Sequence, residues 1–418
     1  MRLLKGFLAR FIRNGRLEVI DANGVRHAFG GDGPGPEIVM HLHDKRLHTR
    51  LATNPELALP EGYMDGTVTF EGGTHHDFLE LFSVNRQTLL AGPLQRRLHR
   101  LSVATKRWQQ NNTLSFAAQR VQHHYDLSGD LYRLFLDDGL NYSCAYWRDP
   151  DGETLGHAQE NKLRLIEAKL KLEPGMTVAE IGSGWGSLAI RLAQAGAHVT
   201  AVNVSKEQLA VSRQRVEEAG LQDRVTFIEQ DYRELEGQFD RVVSVGMMEH
   251  VGVNHFDEYF RKVRSLLKDD GWAMIHAIGK ISPPGVTSPF LRKYIFPGGY
   301  SPALSEVFAA VERTMLWCAD CETLRLHYYY TIRAWRQRFA ERRDEAVDLY
   351  DERFARMWEF YLSAVELGFL HGSNFVFQLL LAKERDAVPI TRDFILDGER
   401  RLLEADGRRG RAATDEAA

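Results

Sequence analysis

The sequence predicts an α/β protein, in which a doubly wound, Rossmann-like domain with a parallel sheet accompanies a smaller N-terminal α/β domain. Between about residues 160 and 280, five strand-like segments alternate with helical stretches, the pattern of a parallel sheet with crossover helices. A glycine-rich turn follows the first of these strands, where such domains bind ligands. With 418 residues, 44% of them hydrophobic, the chain is long enough for two or three domains.

The five strand-like segments are short, apolar and separated by helical stretches of ten or more residues. They read "MTVAEI", "HVTAVNV", "RVTFIEQ", "DRVVSVGM" and "WAMIHAIG". Beyond residue 281 the pattern changes to a Pro/Gly-rich loop, two helical stretches over 327–342 and 344–368, and a last strand-like "FVFQLLLAKE". We therefore predict one large domain over 123–395, followed by a charged tail over 396–418 that is disordered.

The N-terminal part predicts a separate small domain over residues 1–85. Strand-like "RLEVID", "PEIVMHLH" and "GTVTFEGG" precede a helical "HDFLELFSV". The first sixteen residues place basic side chains among apolar ones at helical spacing. Such a helix either lies on an anionic membrane or packs on its own domain, and the sequence leaves both open. The segment has no small-residue cleavage site typical of a signal peptide.

A basic helical linker is predicted for residues 86–122, because no acidic residue occurs between Glu80 and Asp126. The net charge of the whole chain is only −4, which gives no electrostatic case for a nucleic-acid partner. No apolar run approaches the roughly 20 residues that span a bilayer. The three cysteines, Cys144, Cys318 and Cys321, are too few for a disulfide framework and fit a reducing cytosol as structural residues. No metal site is predicted.

The glycine-rich turn reads Gly182-x-Gly184-x-Gly186, which differs from the G-x-G-x-x-G of dinucleotide dehydrogenases. Glycines here allow a tight turn and a close ligand, and the next helix begins with free N–H groups. The acidic neighbour Glu180 disfavours a pyrophosphate and suits the sulfonium-bearing amino acid of S-adenosylmethionine.

The end of the second strand agrees with this cofactor. A carboxylate usually binds the ribose hydroxyls about twenty residues after the glycines. Here the strand ends Val202-Asn203-Val204-Ser205 without an acid, so neutral groups such as Asn203, Ser205 and Gln208 would hold the ribose. A nucleoside without phosphates, S-adenosylmethionine, is the cofactor that these residues favour.

Longer motifs identify a family. "HHYDLSGDLYRLFLDDGLNYSCAYW" (123–147), "FDRVVSVGMMEHVG" (239–252) and "KYIFPGGYSPALSE" (293–306), with "QDYREL" and "IHAIG", resemble the cyclopropane-fatty-acyl-phospholipid synthase family, which includes the mycolic acid cyclopropane synthases. The resemblance extends from about 120 to 385 and implies a seven-stranded class I methyltransferase domain. The N-terminal part, with "LPEGYMDGTVTFEGG", resembles the extra domain of the phospholipid-acting branch.

The resemblance implies an enzyme that adds a methylene from S-adenosylmethionine across a cis double bond of a phospholipid acyl chain. The alkene takes the methyl group, and a bound bicarbonate then removes a proton so that the ring closes. The implied bicarbonate residues are Glu249, His276, Tyr328 and the backbones of Cys144 and Ile278. The implied cofactor residues are Tyr142, Ser143, Glu180, Gly182, Gly184, Gly186, Asn203, Ser205, Gln208, Asp231 and Tyr232.

The reaction also needs an apolar, aromatic pocket that keeps water from the cation. The candidate aromatic residues are Tyr142, Tyr146, Trp147, Tyr294, Phe296 and Tyr328. Because acyl chains are almost absent from water, the expected partner is the surface of a phospholipid bilayer with unsaturated chains. We therefore expect a cytoplasmic protein, peripheral on the inner face of the cell membrane. The expected lipid contacts are the N-terminal helix and "SPFLRKYIFPGG" (288–299), in which Phe290 and Leu291 supply apolar side chains. The resemblance also implies a homodimer.

Three alternatives stay open at this point. Family members often have Asp and Cys where this chain has Glu180 and Ser183, which leaves the exact product in doubt. The first alternative is an enzyme on the same scaffold that makes methyl- or methylene-branched fatty acyl lipids. A lipid-binding protein without activity and a small-molecule O- or N-methyltransferase are the other two, and the intact glycine turn and the long "KYIFPGGYSP" loop disfavour them.

Overall fold

The structure, a computed structural model, describes residues 1–31, 33–86 and 128–416. These residues form two compact units. The first contains the described residues up to 86 together with 282–297 and 328–374, and the second contains 128–281, 298–327 and 375–416. Apart from Arg86, the basic linker predicted over 86–122 lies outside the described residues.

The elements follow one another along the chain with these bounds. The N-terminal part has α1 (Arg2–Phe11), β1 (Asn14–Ile20), β2 (Arg26–Gly30), β3 (Gly33–Leu42), α2 (Leu47–Thr53), α3 (Pro55–Met64), β4 (Val68–Glu71) and α4 (His75–Val84). The middle part has α5 (Gly129–Phe135), α6 (Leu155–Leu170), β5 (Thr177–Ile181), α7 (Ser187–Gln194), β6 (His198–Asn203), α8 (Lys206–Glu218), β7 (Val225–Glu229), β8 (Phe239–Val245), α9 (Phe256–Leu266) and β9 (Leu267–Lys280). The last part has a π-helical turn (Leu291–Ile295), α10 (Leu304–Arg313), β10 (Trp317–Leu324), α11 (His327–Glu341), α12 (Arg343–Leu349), α13 (Glu352–Leu370), β11 (Asn374–Ala382) and α14 (Asp393–Glu416).

The first unit is built on a four-stranded sheet in the order β2-β1-β3-β4, in which β1 and β3 are parallel. The apolar face of α1 covers this sheet: Leu4, Leu8 and Phe11 are buried in one cluster with Leu17 and Val19 of β1. Burial of this face settles the alternative left open for the N-terminal segment, since the helix packs on its own domain and does not offer these side chains to lipid.

The first unit also includes segments from late in the chain, which differs from the predicted N-terminal domain of residues 1–85. Helix α13 packs on α3 and α4, where Ser363 Oγ lies 3.0 Å from His75 Nε2 and Arg353 pairs with Asp65 at 2.8 Å. Phe290, expected to contact lipid, is buried, and its ring lies 5.3 Å from that of Phe360. That expectation for Phe290 was wrong.

The second unit contains the predicted seven-stranded, mostly parallel sheet. The strand order is β10-β11-β9-β8-β5-β6-β7; the pairs β9-β8, β8-β5, β5-β6 and β6-β7 are parallel, and β10 pairs antiparallel with β11. All five segments predicted as strands form β5 to β9, and the predicted late strand forms β11. Strand β10 was missed, because this edge strand is largely exposed and shows no apolar alternation.

Helix α14 takes the place of the predicted disordered tail, and that prediction was wrong over the described part. The carboxylate of Asp406 accepts hydrogen bonds from Arg164 at 3.0 Å and from Arg191 at 3.1 Å, and Arg148 pairs with Glu399 at 2.7 Å. These paired charges account for the polar composition that suggested disorder. Among the described residues, no helix combines the length and the apolar character needed to cross a bilayer.

Candidate active site

The predicted glycine turn lies where β5 meets α7. Gly182, Gly184 and Gly186 have φ angles of +84°, +51° and +86°, in the left-handed region that favours glycine. A Cβ atom at Gly182 would lie 3.1 Å from the side chain of Met247, and one at Gly186 would lie 3.0 Å from Ser212. Side chains at positions 182 and 186 would therefore be strained and would crowd these neighbours, so the tight turn depends on glycine.

An open cavity lies at this edge of the second unit. Nine of the eleven predicted cofactor residues line it: Tyr142, Ser143, Glu180, Gly182, Gly184, Asn203, Gln208, Asp231 and Tyr232. The exceptions are Gly186 and Ser205. Ser205 instead caps α8, where its Oγ accepts a hydrogen bond from the N–H of Gln208 at 3.3 Å.

The end of β6 presents neutral side chains to the cavity, as the sequence indicated. Asn203 Nδ2 donates to Gln208 Oε1 at 2.9 Å, and Asn203 Oδ1 accepts from the N–H of Ser205 at 3.0 Å. The next acid along the edge, Asp231, forms two 2.8 Å hydrogen bonds with Arg233. The polar groups nearest the strand ends can therefore bind hydroxyl and amine groups without adding free negative charge.

Glu180 is the buried carboxylate of this cavity. It is 2% exposed, and its Oε2 has no hydrogen-bond partner among the described residues. Burial raises the pKa of Glu180 to about 8, and the charge of Lys162 opposes that rise. A buried oxygen without a partner is costly and fits a cationic or N–H-bearing ligand.

Lys162, on α6, is a cavity residue that the sequence gave no signal for. Its Nζ donates to Asn141 Oδ1 at 2.8 Å and to Ser143 Oγ at 3.0 Å. Burial lowers its pKa to about 8. Almost all of α6 around Lys162 is buried, including polar residues such as Asn161 and Arg164. A helix of this mixed composition gives no signal in the sequence that one of its lysines lines a cavity.

Glu249 is a second buried carboxylate, in the turn that follows β8. Its Oε1 accepts a hydrogen bond from the N–H of Ile278 at 2.6 Å, while Oε2 has no partner among the described residues. Burial raises the pKa of Glu249 to about 7, although the Ile278 hydrogen bond opposes that rise. The Ile278 amide, predicted to contact the anion directly, thus orients Glu249 in this structure.

His276 lies on β9, beside β8 and close to this turn in the sheet. It is paired with Val245, the last residue of β8, and its carbonyl accepts a hydrogen bond from Gly246 at 2.9 Å. The side chain is buried, and its Nδ1 lies 3.0 Å from Nε2 of Gln378. Burial, with the charges of Lys162 and Lys169, lowers the pKa of His276 to about 3, so the ring is neutral near pH 7.

The other predicted residues divide between the two units. Cys144, in the second unit, is buried, and its Sγ donates to the carbonyl of Ala145 at 3.3 Å. Tyr328 belongs to the first unit, where its ring lies edge-on to Trp335 at 5.7 Å and 4.8 Å from Phe369. Of the predicted aromatic residues, Tyr142 lines the cavity, Tyr146 and Trp147 also lie in the second unit, and Tyr294 and Phe296 lie in the first.

The strand order, the glycine turn, the neutral end of β6 and the buried Glu180 together define a class I S-adenosylmethionine-dependent methyltransferase. Comparison with known families agrees. The model of the mycolic acid cyclopropane synthetase family matches residues 112–379, and the chain belongs to this family.

Relatives and solved structures give the same assignment. The chain is 36% identical to the tuberculostearic acid methyltransferase of Mycobacterium tuberculosis over 84% of each chain. It is 42% identical to the cyclopropane-fatty-acyl-phospholipid synthase of Escherichia coli over 58% of this chain and 62% of that protein. The structure of the cyclopropane synthase MmaA2 from Mycobacterium tuberculosis matches with a TM-score of 0.61 and 31% identity, over 64% of this chain and 98% of that one.

Proposed function

We propose that this protein is a cyclopropane-fatty-acyl-phospholipid synthase, which transfers a methylene from S-adenosylmethionine to the cis double bond of a phospholipid acyl chain. The observation that carries the proposal is a pair of buried groups, Glu249 in the turn after β8 and His276 on the neighbouring strand β9. Neither ionises normally, since burial raises the pKa of one and lowers that of the other. Both therefore suit hydrogen bonding to a small bound group better than acting as exposed charges.

Bicarbonate fits the chemistry of these donors and acceptors. The buried Oε2 of Glu249 has no partner among the described residues, and as a carboxylate it can accept the O–H of bicarbonate. A neutral His276 can donate an N–H to one of the other oxygens. Ile278 holds Glu249 in place, and the backbone of Cys144 and the hydroxyl of Tyr328 are the further groups that the family resemblance assigns.

When bound, S-adenosylmethionine would supply the transferred methyl group, and bicarbonate would supply the base for the proton that this group loses as the ring closes. The residues of the chain bind and orient. Glu180 holds the methionine portion, Asn203 and Gln208 hold the ribose, and Tyr142 places an aromatic ring beside the cavity. An aromatic, water-poor pocket stabilises a developing cation by its ring faces and protects it from water.

The relatives support this substrate class, since the E. coli protein is named for its action on fatty acyl phospholipid. A phospholipid chain must be taken from a bilayer surface. We therefore propose a peripheral protein on the inner face of the cell membrane that acts on unsaturated acyl chains. The proposed homodimer rests on the family resemblance.

Formation of methyl- or methylene-branched acyl lipids is the second candidate, and a specific observation favours it. The tuberculostearic acid methyltransferase of Mycobacterium tuberculosis and a probable fatty acid methyltransferase of Pseudomonas putida each match over 84% of this chain, whereas the E. coli synthase matches over 58%. Both candidates share the methyl-transfer step and differ in the fate of the cation. Loss of a proton from the new methyl group closes the ring, loss of a different proton leaves a methylene branch, and a saturated methyl branch requires a separate hydride donor that reduces the cation.

Proton NMR of the lipid product distinguishes the two candidates. The purified protein is incubated with S-adenosylmethionine and liposomes of a cis-unsaturated phospholipid, and the lipid is recovered. Upfield cyclopropane-ring protons are expected. Vinyl or methyl-branch signals would replace the first candidate with the second, and unmodified lipid in the presence of bound cofactor would reject both.

A further inference from the structure

A chain of buried polar side chains runs from the edge of the second unit's sheet to His276. Lys169, at the end of α6, is completely buried, and its Nζ donates to Oε1 of Gln378 at 2.7 Å and to the carboxylate of Glu322. Gln378 is 1% exposed, and its Nε2 lies 3.0 Å from Nδ1 of His276. Glu322 and Gln378 are direct partners across β10 and β11, which puts them on one face of the sheet.

These polar side chains lie beside an apolar interface. Trp272 and Met274 precede His276 on β9, Leu380 follows Gln378 on β11, and all three are buried against residues of α6 such as Ile166. Buried ions and amides in such a layer are often neutral or unfavourable for stability compared with apolar residues of the same size. Fold stability alone therefore gives a weak reason for this arrangement.

The hydrogen bonds have only one possible direction. A lysine ammonium donates and cannot accept, so the side-chain oxygen of Gln378 must face Lys169. The amide NH₂ of Gln378 then faces His276 and donates to Nδ1. Since a neutral imidazole has one N–H, its proton must be on Nε2.

We propose that Lys169 and Gln378 are positioning residues that lock His276 as the neutral Nε2–H tautomer, so that it presents a hydrogen-bond donor to the bound anion. The charged groups that act on His276 from neighbouring elements are Lys162 and Lys169, both on α6. The inference deepens the proposed function, on which the identity of the anion rests. The tautomer itself follows from the hydrogen bonds alone.

The direct test is a two-bond ¹H–¹⁵N correlation spectrum of the full chain labelled with ¹⁵N-histidine. The sequence has 16 histidines, and His276→Asn identifies the signals of interest by their loss. We expect a protonated Nε2, an unprotonated Nδ1 and no titration between about pH 6 and 8. A protonated Nδ1 in the wild-type protein would overturn the proposal, whatever lipid product the enzyme makes.

Gln378→Glu tests the direction of the chain, because a carboxylate cannot donate to Nδ1. We expect Nδ1 of His276 to become protonated, as the other tautomer or as imidazolium, and turnover to fall about 10- to 100-fold, as is common when the partner of a site histidine is changed. The KM for S-adenosylmethionine should stay unchanged. An unaltered His276 spectrum in this variant would also overturn the proposal.

Two further variants separate positioning from folding. Lys169→Met frees the amide of Gln378 to rotate, so a mixture of tautomers is expected, whereas Lys169→Arg keeps a donor and should preserve the Nε2–H form. Gln194→Glu makes the same chemical change at an exposed site on α7 and is the matched control. This control should leave both the spectrum and turnover as in the wild type.

Discussion

Glu180 and Glu249 can be compared directly, because Glu180 lies near the end of β5 and Glu249 follows the neighbouring parallel strand β8. Each has one buried carboxylate oxygen without a hydrogen-bond partner among the described residues. They differ in what surrounds them. Glu180 shares its cavity with Lys162, whose charge opposes the rise of the pKa of Glu180. At Glu249, backbone hydrogen bonds, including that of Ile278, oppose the rise of the pKa. We propose that the same residue type binds a cationic cofactor at Glu180 and a small proton-bearing group at Glu249.

The largest expected effect is a loss of turnover in a variant of Glu249 that still binds the cofactor. Glu249→Gln should reduce turnover about 100-fold or more, the range of a lost acid–base element, because it removes the acceptor that we propose for the bicarbonate O–H. The dissociation constant for S-adenosylmethionine should stay within about threefold of wild type, since a threefold change is below 1 kcal/mol. Turnover is measured with radiolabelled methyl groups on liposomes, and near-normal turnover would reject the assignment of Glu249.

The second effect falls on binding. Glu180→Gln should weaken S-adenosylmethionine binding about 10- to 100-fold, because a charge-assisted hydrogen bond contributes about 1.5–3 kcal/mol. Titration calorimetry of wild type, Glu180→Gln and Glu249→Gln makes the comparison directly. Equal losses of affinity for S-adenosylmethionine in both variants would contradict the proposal that Glu180 binds the cofactor and Glu249 does not.

The fold was predictable where local pattern decides structure. The alternation of apolar strands and helices predicted β5 to β9, and the turn chemistry of Gly182, Gly184 and Gly186 located the cavity. The first unit's late segments and helix α14 were not predictable, because they depend on contacts between residues far apart in the chain. Arg164 and Asp406, for example, lie 242 positions apart.

The site was predictable in the same uneven way. The motifs predicted the glycine turn, which lines the cavity that the structure shows. The same motifs supplied Glu249 and His276, whose roles stay proposals. Lys162, Lys169 and Gln378 were missed, because a buried lysine or glutamine looks like an exposed one until its neighbours are known. Ser205 is the opposite case, a residue that was predicted but does not line the cavity. Its position after β6 suggested a ribose ligand, whereas in the structure its side chain caps α8.

The burial of Glu249 also predicts a pH dependence of stability. Burial raises its pKa from the ordinary 4.5 to about 7, so the folded protein binds this proton more tightly than the unfolded chain does. The resulting stability is fully present below about pH 4.5 and is lost as the pH rises through 7. From pH 5 to 8 the wild type should therefore lose up to about 3 kcal/mol relative to Glu249→Gln.

Thermal unfolding of both proteins at pH 5, 6, 7 and 8 measures this difference. The exposed Glu217→Gln is the matched control, and its stability should run parallel to that of the wild type. A Glu249→Gln curve that also runs parallel would mean that Glu249 is ionised in the folded protein near neutrality, as Glu180 would be with a cationic ligand bound.

The smallest expected effect is on the free energy of unfolding. It distinguishes residues that contact the cofactor from residues that only stabilise the helix beside the cavity. Ser205→Ala removes the cap of α8 and should lower the free energy of unfolding by about 1 kcal/mol. Cofactor affinity should stay unchanged, because Ser205 does not line the cavity. Ser205→Asp keeps a capping oxygen and should restore stability. A loss of affinity in Ser205→Ala that Ser205→Asp does not repair would return Ser205 to the ribose site, and the neutral end of β6 would then include a hydroxyl ligand as well as Asn203 and Gln208.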